Sequence, residues 1–436
     1  MTTTAASLRS ELYDGQGDAL LPVATFGAQV FIFGALVYSF LVTGFELLPT
    51  ITPLALVFGA VGVLFLTPRM VLHRIPISLM ALVLLGWMAA SQLWSDNAVA
   101  TAGGLEALMP LLIGTIICTG VISMRDLVPA LLWTFRFSVG LTIFALITMP
   151  ETRIHIDIAT ETTHSGWHGL FPHKNIMTPY LVAGIVTILT FDRTRILKWG
   201  TLAGIVGILL GSSSVTGMSS AFLAVSVWVW LQLYRNLDIR NSSIFLFSSI
   251  SVGVFALLGV VASLATLTSA SGRDLTFTGR TLIWAATLRA WEERPLFGWG
   301  FGGILTTDPV SPRTAEIWRE IGFRVPHAHS GPIDLGLQLG VIGLVIFVVL
   351  YVTTMIDGIR AIKDRPEIGA WIVSIMIVQL YMSFSENVFI GYGWLVFLLM
   401  FRTVLMRKHG MEVDTSNALV ESVRDRMDDR GRLVRR

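Results

Sequence analysis

The chain has 436 residues, of which 53% are hydrophobic and 14% charged, with a mean hydropathy of +0.71. Soluble domains carry roughly 25% charged residues, so this composition excludes an ordinary soluble protein and points to an all-α polytopic membrane protein. A formal net charge of +2 is too small to suggest nucleic acid, and the single cysteine, Cys118, lies in an apolar run, which excludes a disulfide framework or a thiol metal cluster.

Residues 1–21 are polar, carry no cleavable signal pattern, and read as a cytoplasmic tail. Apolar runs then recur, most of them about 20 residues long, enough to cross a hydrocarbon core of about 30 Å as a helix. They fall at roughly 22–44, 50–67, 75–93, 98–118, 127–149, 175–191, 198–211, 219–234, 243–268, 331–355, 368–387 and 391–406, which makes about twelve transmembrane helices. Helices one to nine occupy 22–268, interrupted by a loop at 150–174. A large loop fills 269–330, helices ten to twelve fill 331–406, and a second tail runs over 407–436. Basic residues gather in alternate connections: Arg69 and Arg74, Arg125, Arg193 with Arg195 and Lys198, Arg235 and Arg240, then Arg360, Lys363 and Arg365. The connections at 45–49, 94–97, 212–218 and 388–390 have no Lys or Arg. Lysine and arginine are retained on the cytoplasmic face, so both termini are expected inside and both large loops outside. The second tail mixes both signs and reads as a solvated or surface segment.

Glu106 and Arg136 stand inside apolar runs, where charge is expensive. Both are expected to face the bundle interior, with each a possible partner of the other. The loop at 150–174 holds His155, His164, His168 and His173, and the loop at 269–330 holds His327 and His329, so six of eight histidines lie in two connections. Two loops folding over one cavity would explain the clustering; ordinary headgroup-level histidines would also produce it. His164 and His168 are four apart, but Gly166 between them argues against a helix and no third ligand is at hand, so no metal is expected. Phe171-Pro-His-Lys-Asn175 places a cation and an amide at a helix start, where free N–H groups favour an anion; Lys174 could equally snorkel to the surface. Ser212 to Ser220 is rich in small residues. It reads either as a helix-packing seam or as irregular backbone beside a cavity.

The large loop has its own architecture. Arg280 to Glu293 has helical propensity, with Trp284, Leu288 and Trp291 as a stripe suited to a helix lying in the interface, and Pro295 to stop it. Gly298-Trp-Gly-Phe-Gly-Gly303 lacks the Lys-Ser or Lys-Thr of a P-loop and reads as a tight turn. Ser311-Pro312 supplies an N-cap and first-turn proline, and Gly322 the stop, of a second short helix. Arg280 and Arg324 can hold a diphosphate bidentately, as lysine cannot, and a neutral histidine suits proton abstraction from a sugar hydroxyl near neutral pH. No nucleotide donor is available outside the cytoplasmic membrane, so an activated sugar would arrive on a lipid.

His329-Ser330, nine residues, then Gly340-Val-Ile-Gly343 matches the histidine motif of the O-antigen ligase and O-antigen polymerase (Wzy-type) family of bacterial envelope glycosyltransferases, which the chain resembles from about residue 20 to 406. Gly279-Arg280 with Trp284 is similar to its arginine motif, Phe171 to Asn175 to its aromatic-to-asparagine stretch, and Trp94-Ser-Asp96 to a further family feature. One departure stands out: many members carry Ser-Arg or Ser-Lys where this chain has Ser212-Ser-Ser-Val-Thr-Gly-Met218. The resemblance implies a GT-C-like fold in the bacterial inner membrane with a periplasmic active site and no cofactor. It implies metal-independent, inverting transfer of glycan from undecaprenyl diphosphate, with His329 as base and Arg280 on the leaving diphosphate. Arg324, Lys174, His327, Asn175 and His173 are placed at the substrate, Arg324 or Lys174 replacing the missing cation; Glu316 or Glu320 is the alternative proton acceptor. A polysaccharide polymerase is favoured. The alternatives are a ligase acting on a lipid A core acceptor and, in other classes, a lipid-linked oligosaccharide flippase or transporter or a lipid-binding scaffold. Beyond the lipid-linked oligosaccharide and membrane lipid, a chain-length regulator or flippase of the same pathway is the partner to expect.

Overall fold

The structure, a computed structural model, describes residues 22–39, 51–66, 75–157, 162–171, 173–236 and 280–407. The span expected at 243–268, the first tail and 408–436 lie outside these residues. Helices form where the apolar runs stand. In order they are α1 (Pro22–Ser39), α2 (Ile51–Leu66), α3 (Leu79–Ala90), α4 (Ala98–Val121), α5 (Met124–Thr148), α6 (Lys174–Phe191), α7 (Arg195–Ser212), α8 (Val215–Asn236), α9 (Arg280–Glu293), α10 (Pro312–Ile321), α11 (Gly331–Asp364), α12 (Pro366–Ser383) and α13 (Tyr392–Met406). Among the described residues, eight helices are long and apolar enough to cross a membrane: α1, α4 to α8, α11 and α12. The helices at the other expected spans, α2, α3 and α13, have 16, 12 and 15 residues.

Local chemistry sets the ends. Ser78, Asn97 and Ser123 cap α3, α4 and α5, each side chain accepting an N–H three residues on. Buried threonines 115, 134, 187, 190, 354 and 403 return their hydroxyls to the carbonyl four residues back, which lets polar side chains sit inside an apolar bundle. α6 and α12 are the central helices, each 72% buried, against 33% for α7 and 28% for α8. α12 packs on α11, α8 and α6, while α13 and α2 pack on α4.

The two charges inside the apolar runs differ in placement: Arg136 faces the interior as expected and Glu106 does not. Arg136 is enclosed, but its partner is Asp192 at 2.6 Å, not Glu106, which is exposed on α4. The pairing follows from position, since Asp192 ends α6 beside α5. Arg402 on α13 similarly meets Asp357 of α11 at 2.6 Å.

The connection at 150–174 contains a two-stranded hairpin, β1 (Ile154–Asp157) and β2 (Thr162–Ser165), with His155 opposite His164. His164 therefore lies on a strand and His168 beyond it, so their spacing of four has no helical meaning. The small-residue stretch after α7 is a packing seam. Ser213 turns the chain at φ 52, and a Cβ at Gly211 or Gly217 would come within 2.2 Å of the Trp167 ring or 2.6 Å of Thr178.

Candidate functional site

The segment from α9 to the start of α11 folds on a small core of its own. Ile283, Ala286, Ala290, Trp299, Ile304, Leu305, Ile317, Trp318, Ile321, Val325, Ala328 and Leu337 are buried together. α10 is built as its sequence dictates, with the Ser311 hydroxyl capping Thr314 N–H, Pro312 first and Gly322 leaving at φ 86. The tryptophan stripe of α9 is not its buried face, which is Ile283, Ala286, Thr287 and Ala290. Trp284 and Trp291 instead spend their indole N–H on the carbonyls of Ala328 and Pro295, because both indoles reach the loop backbone.

α11 explains the glycine motif. Its 34 residues would reach about 51 Å if straight, well beyond a hydrocarbon core of about 30 Å. Gly340 breaks it at φ 67, ψ −176, a conformation essentially reserved for glycine, and a Cβ there would lie 2.0 Å from the Leu296 carbonyl oxygen. The backbone groups released at the kink are taken up by the loop. Val341 and Ile342 N–H donate to Pro295 and Leu296, while Trp299 and Gly300 N–H donate to Leu337 and Gln338. The Trp87 indole donates to Leu339 at 3.0 Å. Trp94-Ser-Asp96 completes the clamp: the Trp94 indole donates to Phe297, and Arg294 bonds Asp96 at 2.7 Å while lying over the Trp299 ring. The glycine turn, the tryptophan motif and the Gly340-to-Gly343 motif are one structural joint, which fixes where the first turns of α11 point.

Just ahead of those turns, four chain segments meet around one carboxylate. Glu386, in the turn between α12 and α13, has a side chain only 6% exposed. Its Oε1 accepts from Arg280 Nη2 at 2.9 Å and from Asn175 Nδ2 at 2.8 Å. Its Oε2 lies 3.4 Å from His329 Nδ1 without hydrogen-bond alignment, so that buried ring nitrogen has no hydrogen-bond partner. The His329 side chain keeps 23% of its surface accessible, and none of that surface is Nδ1. His329 adopts φ 52, uncommon for a residue with a side chain. Its ring packs 4.1 Å from that of His327, whose Nδ1 accepts the His329 N–H. Burial of the His327 ring, with His329, His173 and Arg280 close by, holds its pKa well below the usual histidine range. Gly331 admits the α12–α13 turn, since a Cβ there would already stand 3.1 Å from Phe389 and Ser383. Asp334, one turn into α11, is buried and accepts the Ala328 N–H at 2.8 Å, tying the histidine loop down.

Of the residues expected at a site, the structure brings together His329, His327, Arg280, Asn175 and His173. His173 caps α6, its Nδ1 accepting the Asn175 N–H. Lys174 is buried at the same helix start. Arg324 stands apart, exposed over the Trp318 ring. Glu316 and Glu320 are occupied in ion pairs with Arg313 and Arg289 on the outer side of α10, and the carboxylate beside His329 is Glu386. Sequence reasoning placed Glu386 within an apolar span at 368–387, whereas α12 ends at Ser383. An acidic residue at the end of an apolar run, within Ser385-Glu386-Asn387, was the available signal. α6 and α11 both begin at this cluster, so two helix N-termini direct positive poles towards it.

Residues 199–348 match the family model described as O-Antigen ligase, a stretch that holds Arg280, His329 and the Gly340 kink but not Glu386 or Asn175. The chain is also similar to the exopolysaccharide production protein ExoQ of Rhizobium meliloti (strain 1021), at 26% identity over 174 residues, 38% of this chain and 35% of that protein. The chain thus spans about a third of that relative's length. These matches bear out the resemblance to the O-antigen ligase and polymerase family.

Proposed function

We propose that the chain is a membrane glycosyltransferase that moves glycan from undecaprenyl diphosphate to a sugar hydroxyl at the periplasmic face, as a polysaccharide polymerase. The observation that carries this reading is the convergence of Arg280, Asn175 and His329, from three separate segments, on buried Glu386. A carboxylate facing His329 Nδ1 favours the tautomer with the proton on that nitrogen and leaves Nε2 as the acceptor. His329 then removes the proton from the attacking hydroxyl, and Glu386 steadies the imidazolium that forms. The contact is long at 3.4 Å, and such bonds often tighten only when substrate binds. Arg280 gives one nitrogen to Glu386 and has further N–H donors for the departing diphosphate. The helix N-termini of α6 and α11, with Lys174 beside the first, add positive potential for the same anion; His327 packs against His329, and His173 positions Asn175. No step in this scheme needs a metal.

The polymerase reading draws on the exopolysaccharide production protein to which the chain is similar. A ligase would share every residue named above and differ in acceptor. The test is transfer by purified protein, with chelator present, from undecaprenyl-diphosphate oligosaccharide of the native host. Lengthened lipid-linked glycan from wild type, lost in His329→Ala and Arg280→Ala, is the expected result. Transfer to lipid A core alone would replace polymerase by ligase, and full activity of His329→Ala would remove the base assignment.

A further inference from the structure

At the opposite ends of α6 and α12 from Asn175 and Glu386 lies a second feature, which the proposed transfer reaction does not use. α6 has 18 residues, about 27 Å of rise, so the two places are separated by about the thickness of a hydrocarbon core. Here the beginning of α5, the end of α6 and the beginnings of α7 and α12 enclose a cavity of about 550 Å³. Its apolar side is Val128, Leu132, Trp133 and Phe191, continuous with an outer face of α5 on which Trp133 is 57% and Phe137 45% exposed. Its polar side carries Arg125, Arg136 and Arg193 against Asp192 and Glu367.

The arginines are arranged unequally. Arg136 is rigid: Nη2 bonds Asp192 at 2.6 Å and Thr194 at 3.0 Å, the guanidinium lies over the Trp133 ring, and its buried Nε has no hydrogen-bond partner. Burial alone would raise the Asp192 pKa, but bonds from Thr194 and Arg136 hold it below the usual carboxylate value, so that pair is ionised at neutral pH. Arg193 and Glu367 meet at 2.6 Å with side chains 73% and 42% exposed, and so open a pair is readily exchanged for a better anion. Arg125 is exposed and in no ion pair among the described residues. α5, α7 and α12 all start at this cavity, and neither Thr194 nor Arg365 caps its helix with a side-chain bond, which leaves N–H groups and positive helix poles facing it.

We propose that this cavity is a binding site for an anionic phospholipid of the leaflet opposite the glycan-transfer site, with the phosphate on Arg125, Arg193 and the Arg136 edge and the acyl chains along Leu132 and Trp133. The occupant is a lipid because the charged rim opens directly onto an apolar helix face, whereas a free anion would gain nothing from that wall. An acyl chain on Trp133 and a phosphate on the exposed arginines form one continuous amphipathic surface, as basic clefts between membrane helices provide for anionic headgroups.

The full-length protein in a neutral detergent is titrated with phosphatidylglycerol, phosphatidylcholine or inorganic phosphate, and bound lipid is counted by native mass spectrometry. The expected result is one retained phosphatidylglycerol, not displaced by inorganic phosphate in molar excess and not matched by phosphatidylcholine. Arg125→Gln with Arg193→Gln should weaken it at least about tenfold, taking about 1 kcal/mol per surface arginine. Because Arg136→Gln risks misfolding through Asp192, Leu132→Trp serves as the independent variant, blocking the apolar wall while keeping every charge. Equal retention in both variants, or equal binding of phosphatidylcholine, overturns the site; displacement by inorganic phosphate overturns its assignment to lipid.

Discussion

Glu386→Gln is the sharpest perturbation of the proposed chemistry. The substitution keeps the side chain's shape and leaves one carbonyl oxygen to accept from Arg280 and Asn175, as Oε1 does now at 2.9 and 2.8 Å. The change falls on the other atom, where an amide NH₂ replaces the carboxylate oxygen 3.4 Å from His329 Nδ1. An NH₂ there can only donate, so it favours the tautomer with Nδ1 bare and Nε2 protonated, and the proton acceptor is lost. The turnover of purified protein should fall by about 10²–10⁴, the span general-base catalysis contributes, while KM for the lipid donor moves little because the diphosphate contacts remain. Stability should hardly change. Glu386→Ala should differ: it strands Arg280, and a buried pair broken on one side costs about 3–5 kcal/mol, reduced here to about 2–3 because the Arg280 side chain is 22% exposed. A lowered melting temperature in Glu386→Ala but not in Glu386→Gln separates the two effects. Near-wild-type turnover in Glu386→Gln would refute the positioning role of this carboxylate.

Gly340→Ala should destabilise by more than the roughly 1–2 kcal/mol of an unfavourable left-handed φ, since its Cβ also meets the Leu296 carbonyl at 2.0 Å; an unchanged thermal midpoint in detergent would mean the kink is not rigid. The pKa of His327 is lowered in the folded protein, so below about pH 6.5 the unfolded chain binds the extra proton and stability falls by up to about 1.4 kcal/mol per pH unit. His327→Asn, whose Oδ1 can still accept the His329 N–H, should flatten the loss of melting temperature between pH 7 and 5; an identical slope in both proteins counts against the assignment. Lys174→Gln and Arg324→Ala, compared for KM of the lipid diphosphate, decide which replaces the cation absent at Ser212 to Met218. The helix-start position of Lys174 predicts the larger rise there, by about tenfold for one charge-assisted contact, and a larger effect of Arg324→Ala would reverse the order.

The short helix from Ser311 to Gly322 was legible because capping and stopping are local: a hydroxyl, a proline and a glycine act within a few residues of themselves. The helix α9 was legible for the same reason, but not the bond from the Trp284 indole to the Ala328 carbonyl 44 residues on. Nor could such local logic name the partner of Arg136, because a pair 56 residues apart depends on which helices become neighbours.

The sequence by itself determined that this is a helical membrane protein with a long polar insertion and a histidine ahead of an apolar helix. Burying backbone polar groups in lipid leaves few other outcomes for such runs. Only the tertiary structure decided that Arg280, Asn175 and His329 share one carboxylate, that Gly340 is a joint in α11, and that a charged cavity lies at the far ends of α6 and α12. Each of these depends on distances between groups far apart along the chain, 106 residues from Arg280 to Glu386 and 252 from Trp87 to Leu339. Those distances are set by helix packing, which apolar periodicity permits but does not specify.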